Sequence, residues 1–289
     1  MNNSNIQLCV IGDPVAHSVS PGIHSCLYTL TGTKGVTYTK KRVAPRSLEE
    51  FLDTIRAGKL LGCNVTLPHK ERIMPLLDRL DESACAAGAV NTVITEESGL
   101  AGYNTDTFGC TRALMRAGFK PGGTAVIFGS GGAARAGILA LARMGQKHIS
   151  IISRNRTAAR NAAAFFSEHY PDTDIETRHQ EQTPEMAERA RLIINATPVG
   201  MWPRTNECVI ADPQVIRPGT FVFDMVPRPL HTQLLKYARH QNAVTVPGLR
   251  MLIAQAVRSH ELWFNEPVEQ QVYDRLWEHL AQTQKDTDL

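Results

Sequence analysis

The stretch that most constrains this chain is Val126–Arg135, VIFGSGGAAR. Val126, Ile127 and Phe128 read as the end of a buried strand. Gly129, Gly131 and Gly132 are expected to force a tight turn, and Ala133–Arg143 reads as a helix. Strand, glycine turn and helix in that order leave backbone N–H groups free at a helix N-terminus, which suits a pyrophosphate. Gly129, Gly131 and Ala134 fit the G-x-G-x-x-G/A spacing. Gly129, Ser130, Gly131, Gly132 and Ala133 are therefore the candidate phosphate-side contacts of a dinucleotide.

A length of 289 residues suits two domains. A net charge of +3, with no basic run beyond Arg154–Arg160, argues against a nucleic-acid or membrane partner. No apolar run approaches a membrane span, and MNNSNIQLCVIG is not a signal peptide. The six cysteines are scattered, with neither C-x-x-C nor a metal-ligand spacing. They read as reduced, mostly buried thiols of a cytoplasmic protein, and no metal is expected.

Ahead of the glycine turn, strands alternate with helices, which implies a mainly parallel αβ layer. Strands are expected over 6–11, 36–43 and 60–66, and a hairpin over 89–103. Helices are expected over 22–30, with Ser20 as N-cap and Pro21 in the first turn, over 47–57, capped by Ser47, and over 81–87. Two hydroxyls at a helix start, Ser18 and Ser20, can hold a carboxylate or can be ordinary loop groups. Asn64, Thr66 and Lys70 follow a strand end, where such sheets place ligand groups. Lys70 there, at an expected helix start, is either a ligand group or a solvated charge. Asp106 opens a helix over 107–117 and can be a cap; Asn91 can be a turn hydrogen-bonder.

Beyond the turn, strands are expected over 148–152, 191–195, 220–224 and 244–246, and helices over 230–240, 248–264 and 268–283. At the end of the 148–152 strand an NAD-type site would carry Asp or Glu for the ribose 2′-OH. Neither occurs from Gly129 to Ser167. Instead come Ser153-Arg154-Asn155-Arg156-Thr157, with Arg160 one turn beyond Arg156. Guanidinium groups at i and i+4 share a helix face and match a phosphate. Cations at a helix N-terminus oppose its dipole unless an anion lies nearby. The cofactor implied is NADP(H).

GDPVAHSVSP, NVTLPHK, GAVNT and NTD, followed by GSGGAARA, occur in the order and spacing of the shikimate dehydrogenases and their quinate/shikimate relatives. The chain resembles that family over nearly its whole length. The resemblance implies an α/β, two-domain protein. Residues 1–105, completed by the C-terminal helices of 249–289, would form the substrate domain, and 106–248 a Rossmann-type NADP domain, with a cleft between two lobes. It implies NADP-dependent interconversion of 3-dehydroshikimate and shikimate, a step toward chorismate in aromatic amino acid biosynthesis, by a monomer or homodimer.

Lys70 and Asp106 would flank the reacting oxygen, either able to move the proton. Ser18, Ser20, Asn64, Thr66, Asn91 and Gln255 would read a polyhydroxylated carboxylate. Asn155, Arg156 and Thr157 match the family's N-R-T. Thr197, in a segment similar to N-A-T-x-x-G, and Met225 and Gly248 join the cofactor contacts. Gln255 is expected at the edge of its helix's core face.

Pro227 departs from the family, which often carries a substrate-contacting Tyr there, and Ser25 departs from the more frequent Asn. Both departures leave room for quinate or an amino-substituted analogue. Ser at both 18 and 20 favours shikimate. A non-catalytic NADP-sensing protein on the same scaffold is the reading from another class.

Overall fold

The structure, a computed structural model, describes residues 6–287. The chain divides into two compact units, Met1–Thr105 with Ile253–Leu280, and Asp106–Leu252 with Ala281–Leu289.

The first unit contains β1 (Ile6–Gly12), α1 (Ser20–Thr31), β2 (Val36–Arg42), α2 (Leu48–Arg56), β3 (Gly62–Val65), β4 (Arg79–Leu80), α3 (Glu82–Ala87), β5 (Thr92–Glu96) and β6 (Gly99–Tyr103). Its sheet runs β2-β1-β3-β5-β6-β4. β1 is parallel to β2 and β3, and β4 to β6, whereas β5 is antiparallel to both its neighbours. The layer is thus mainly parallel, as expected, with one inserted hairpin turning at Glu97-Ser98. Both faces are covered, which explains near-continuous apolar strands such as LCVI in β1. Cys9, Ile11, Cys63, Val65 and Val93 face Leu48, Leu52 and Ile55 of α2. Leu8 and Ile94 pack in a second cluster with Tyr28 and Trp263.

The second unit contains α4 (Asp106–Arg116), β7 (Thr124–Phe128), α5 (Gly132–Met144), β8 (His148–Ile152), α6 (Arg156–His169), β9 (Asp174–Arg178), α7 (Thr183–Arg189), β10 (Ala190–Asn195), β11 (Phe221–Asp224), α8 (Gln233–His240) and β12 (Val244–Pro247). All six strands are parallel, in the order β12-β11-β10-β7-β8-β9. Counted within the unit this is 6-5-4-1-2-3, the doubly wound dinucleotide-binding order, whose direction reverses between β7 and β10. α9 (Gly248–Phe264) and α10 (Gln270–Thr287) follow.

Several local expectations are corrected. Val19, not Ser20, is the N-cap of α1; Ser20 is its first residue, and the Ser18 hydroxyl accepts from the Ser20 N–H at 3.3 Å. Ser47 occupies the cap position of α2 without a side-chain hydrogen bond, because a 3₁₀ turn over Pro45–Ser47 already leads the chain in. Lys70 lies in a turn rather than at a helix start, the chain there forming only a 3₁₀ turn at Met74–Leu76. β4, β9 and α7 have no counterpart in the sequence reading, since each is short and weakly patterned.

α5 is buried on nearly all sides. Gly132 and every residue from Ala134 to Leu141 are buried, including Arg135, whose guanidinium lies 4.7 Å from the Phe165 ring centroid. Leu252 is only partly buried, and Gln255 is buried rather than at an edge.

Candidate functional site

In the first unit, strand geometry gathers polar groups. Because β5 runs against both β3 and β6, the end of β3, the start of β5 and the end of β6 meet at one margin of the sheet. Asn64 pairs with Thr92, and Thr92 with Tyr103, in register. Alternation and this edge leave Asn64, Asn91, Thr92, Asn104 and Thr105 all buried. Such groups must be hydrogen-bonded, and they are.

The Asn64 amide nitrogen lies 3.0 Å from both Thr92 Oγ1 and Ser259 Oγ and 3.2 Å from Asn91 O. Its Oδ1 accepts from the Tyr38 hydroxyl at 2.6 Å. Asn91 Oδ1 accepts from the Thr105 N–H at 2.7 Å, and Asn91 Nδ2 is 2.9 Å from Thr105 Oγ1 and 3.4 Å from Gln255 Oε1. Ser259 Oγ is 2.9 Å from Thr92 Oγ1 and 3.2 Å from Thr105 Oγ1, and donates to Gln255 O at 2.9 Å. The structure therefore brings Asn64, Asn91 and Gln255 into one network through Thr92, Thr105 and Ser259.

The first two of these hydroxyls stand inside the quoted motifs without a role there. Sequence reasoning misses Ser259, although it sits one helical turn beyond Gln255. It also misses Tyr38 and gives His24 no role. His24 is fully buried and stacks on Tyr38 with centroids 4.0 Å apart, and burial holds its pKa down at about 3, so the ring is neutral.

Ser18 and Ser20 form a second group at the start of α1, their hydroxyls 3.1 Å apart. Thr66 directly follows β3, its N–H bonded to Ile11 O at 2.9 Å, and its methyl packs where Gly12 has no Cβ. Lys70 is half-buried, and its carbonyl accepts from the Val90 N–H at 2.8 Å, which ties the turn to the segment entering Asn91. Asp106 is buried and is the first residue of α4.

In the second unit, the glycine turn stands at the reversal point between β7 and β10. Gly129 has φ +115°, and a Cβ there would lie 3.1 Å from Ala196 O and 3.3 Å from the Thr197 methyl. The position requires glycine both for its backbone and for this close approach. Gly131 differs: its backbone is extended, with nothing within 4 Å of where a Cβ would stand. The expectation that all three glycines force the turn is corrected to Gly129 alone. Gly131 instead leaves room for a group to come against the backbone at the N-terminus of α5, as a pyrophosphate requires. Gly132 begins α5, with Ala133 next. Ser130 and Ser153 hydroxyls are 2.9 Å apart.

At the end of β8, Asn155 caps α6 by accepting from the Ala158 N–H at 3.0 Å. That cap exposes Arg156, Thr157 and Arg160 on the first turns. Arg156 Nη2 lies 3.0 Å from His179 Nε2.

The loops after β10 and β11 are joined by a buried carboxylate. Asp224 Oδ1 accepts from Asn195 Nδ2 at 3.0 Å and the Val226 N–H at 3.1 Å, and Oδ2 accepts from the Thr232 hydroxyl at 2.6 Å. Asn195 Oδ1 in turn accepts from the Thr197 hydroxyl at 2.6 Å and its N–H at 3.1 Å. Thr197 and Met225 are thereby held by one knot. Burial raises the Asp224 pKa to about 7, against the three donors. Gly248 admits the Met225 backbone, which would stand 2.6 Å from a Cβ. Pro227 lies partly buried on the same loop.

A family profile described as the shikimate dehydrogenase substrate binding domain matches residues 10–93. The protein named shikimate dehydrogenase (NADP(+)) from Moorella thermoacetica is 38% identical over 273 residues, 93% of this chain and 91% of that one. The structure of shikimate 5-dehydrogenase from Listeria monocytogenes, in complex with shikimate and NAD, aligns with a TM-score of 0.85 at 31% identity, covering 97% of each chain. That of shikimate 5-dehydrogenase from Thermus thermophilus, in complex with NADP(H) and shikimate, aligns at 0.82 and 30% identity, covering 95% of this chain and 99% of the other.

Proposed function

The chain belongs to the shikimate dehydrogenase family, and on that premise we propose that it interconverts 3-dehydroshikimate and shikimate with NADP(H). The observation that carries the cofactor half is the acid-free end of β8, where Arg156 and Arg160 follow an Asn155 cap beside the Gly129 turn of a doubly wound sheet. Gly129–Ala133 receive the pyrophosphate; Asn155, Arg156, Thr157 and Arg160 receive the 2′-phosphate; Thr197, Met225 and Gly248 border the remainder. When bound, the nicotinamide supplies or takes up hydride.

The chain's own residues supply position and a proton. Reduction of a ketone requires an acid at the forming alkoxide, and oxidation of the alcohol requires the same group as base. Lys70 and Asp106 take this role as a pair. The ammonium stabilises the alkoxide, and the carboxylate orients a neighbouring hydroxyl; either can carry the proton. Ser18 and Ser20 hold the substrate carboxylate. Asn64, Thr66, Asn91 and Gln255 read the ring hydroxyls, Asn64 with the second lone pair of Oδ1. A site of this kind rejects an analogue lacking one hydroxyl by roughly 10⁴–10⁵-fold, because a buried partner is left unpaired.

Residues Met1–Thr105 with the C-terminal helices serve the substrate, and the Rossmann-ordered unit serves the cofactor. All six cysteines are free, which supports a reducing, cytoplasmic setting. No helix among the described residues is long and apolar enough to cross a membrane. A monomer or homodimer suffices for this chemistry.

The test is spectrophotometric. Purified protein is offered shikimate or quinate with NADP⁺ or NAD⁺, and turnover is expected to be fastest with shikimate and NADP⁺. Pro227 makes quinate the competing substrate; faster turnover of quinate would transfer the assignment to it. No turnover with any pair would refute the shikimate assignment and leave the amino-substituted analogue or the NADP-sensing reading.

A further inference from the structure

His179 immediately follows β9, whose C-terminal end lies beside that of β8 in the parallel sheet. Its ring is held between two donors. On one side, the His179 side chain accepts from the Gln182 N–H, while Gln182 Oε1 accepts from the His179 N–H at 3.0 Å, a reciprocal cap of the 3₁₀ turn over Gln180–Gln182. Nδ1, the ring nitrogen nearer the backbone and the one that does not face Arg156, is the nitrogen in reach of that N–H, which also donates to the His179 carbonyl at 3.1 Å. On the other side, Nε2 faces Arg156 Nη2 at 3.0 Å. A guanidinium nitrogen only donates, and a neutral imidazole has one acceptor and one donor. The ring can therefore accept from only one of the two, and with Nδ1 accepting in the cap an Nε2 proton would meet the guanidinium N–H head-on. Glu181 Oε2, 3.9 Å from Nδ1, is too distant for a hydrogen bond and lies on the other side of the ring from Arg156.

An anion resolves this arrangement. An oxygen seated beside the pair, at hydrogen-bond distance from both nitrogens, accepts from both, the cap is kept, and no donor is wasted. We infer that His179 is a ligand of the cofactor's ribose 2′-phosphate, pairing with Arg156 so that the imidazole Nε2–H and the guanidinium clasp one phosphate monoester. The inference rests on the NADP reading above and adds a specificity-determining residue from a different strand. The imidazole contributes a directed N–H donor. The ribose 2′-OH of NAD(H) has a single oxygen and no negative charge, so it gains much less from the same pair.

The experiment is fluorescence titration of the whole protein with NADPH and NADH, with 2′-AMP and 5′-AMP as probes of the adenosine end. His179→Ala should raise the Kd for NADPH and for 2′-AMP by roughly ten- to a hundredfold, the worth of one hydrogen bond to a charged group, with NADH and 5′-AMP unchanged. In the Arg156→Ala background the same substitution should cost less than in the wild type, because the two donors share one phosphate. An NADPH Kd within twofold of wild type, or additive losses in the double variant, would overturn the inference. Where His179→Ala weakens NADH as well, His179→Gln decides, since a glutamine amide supplies a donor. Recovery of the NADPH preference supports the role, and failure to recover it overturns it. Wild-type protein that fails to prefer NADPH over NADH would instead refute the NADP reading itself.

Discussion

Asp224→Asn tests whether a buried carboxylate sets the pH dependence of the nucleotide-binding unit. Asp224 is fully buried at the end of β11 and accepts three hydrogen bonds. Burial disfavours the charge and the donors favour it; burial wins, and the pKa rises from 3.8 to about 7. Between those values the folded state holds a proton that the unfolded state has released. The contribution is therefore fully present below about pH 4 and is lost as pH rises through about 7, at about 1.4 kcal/mol per pH unit.

From pH 5 to pH 8 the group should remove about 3 kcal/mol of stability, nearly all of it below pH 7. Asparagine keeps an oxygen for Asn195 and Val226 and turns its nitrogen toward Thr232, whose hydroxyl already accepts from the Leu235 N–H. That mismatch costs about 1 kcal/mol at every pH. Urea unfolding of both proteins at pH 5, 6, 7 and 8 measures the difference. The stability of wild type relative to the variant should fall by about 3 kcal/mol across this range, with the variant already slightly the more stable at pH 5 and clearly so at pH 8. Parallel profiles, or a variant much the weaker at pH 8, would show that the three donors outweigh burial.

Three further outcomes are expected. Gly129→Ala forces a glycine-only backbone and a contact on Ala196 O, costing about 1–3 kcal/mol in melting experiments and weakening NADPH and NADH alike; an unchanged melting curve would contradict the geometry. Ser259→Ala removes the group shared by Asn64, Thr92 and Thr105, and should lower stability by about 1–3 kcal/mol and raise the KM for shikimate with no change in NADPH Kd; a substrate KM equal to wild type would separate the network from the substrate. Lys70→Ala and Asp106→Ala should each lower kcat by roughly 10²–10⁴-fold with little effect on NADPH binding; near-wild-type kcat in either would exclude that residue from the acid–base role.

The sequence by itself determined whatever depends on local pattern. VIFGSGGAAR read correctly as strand, turn and helix because apolar runs and glycine act over a few residues. The absence of acids from Gly129 to Ser167 and the arginines after β8 pointed to NADP for the same reason, since both are countable along the chain. Motif order was enough to indicate the family. Tertiary structure alone decided which polar residues touch. Asn64 and Ser259 are far apart in the chain and meet because β5 runs antiparallel between β3 and β6, while α9 returns to the same unit.

Gln255 looked half-exposed by helical phase, but that phase cannot reveal polar groups arriving from another element. Of the three glycines of the turn, only the structure distinguishes Gly129, pressed against Ala196, from Gly131, which stands clear. Asp224 and His179 carried no signal in their own neighbourhoods. A buried carboxyl group and a ring that faces two N–H donors are properties of what surrounds a side chain, and those surroundings come from strands that are adjacent in the sheet and distant in the sequence.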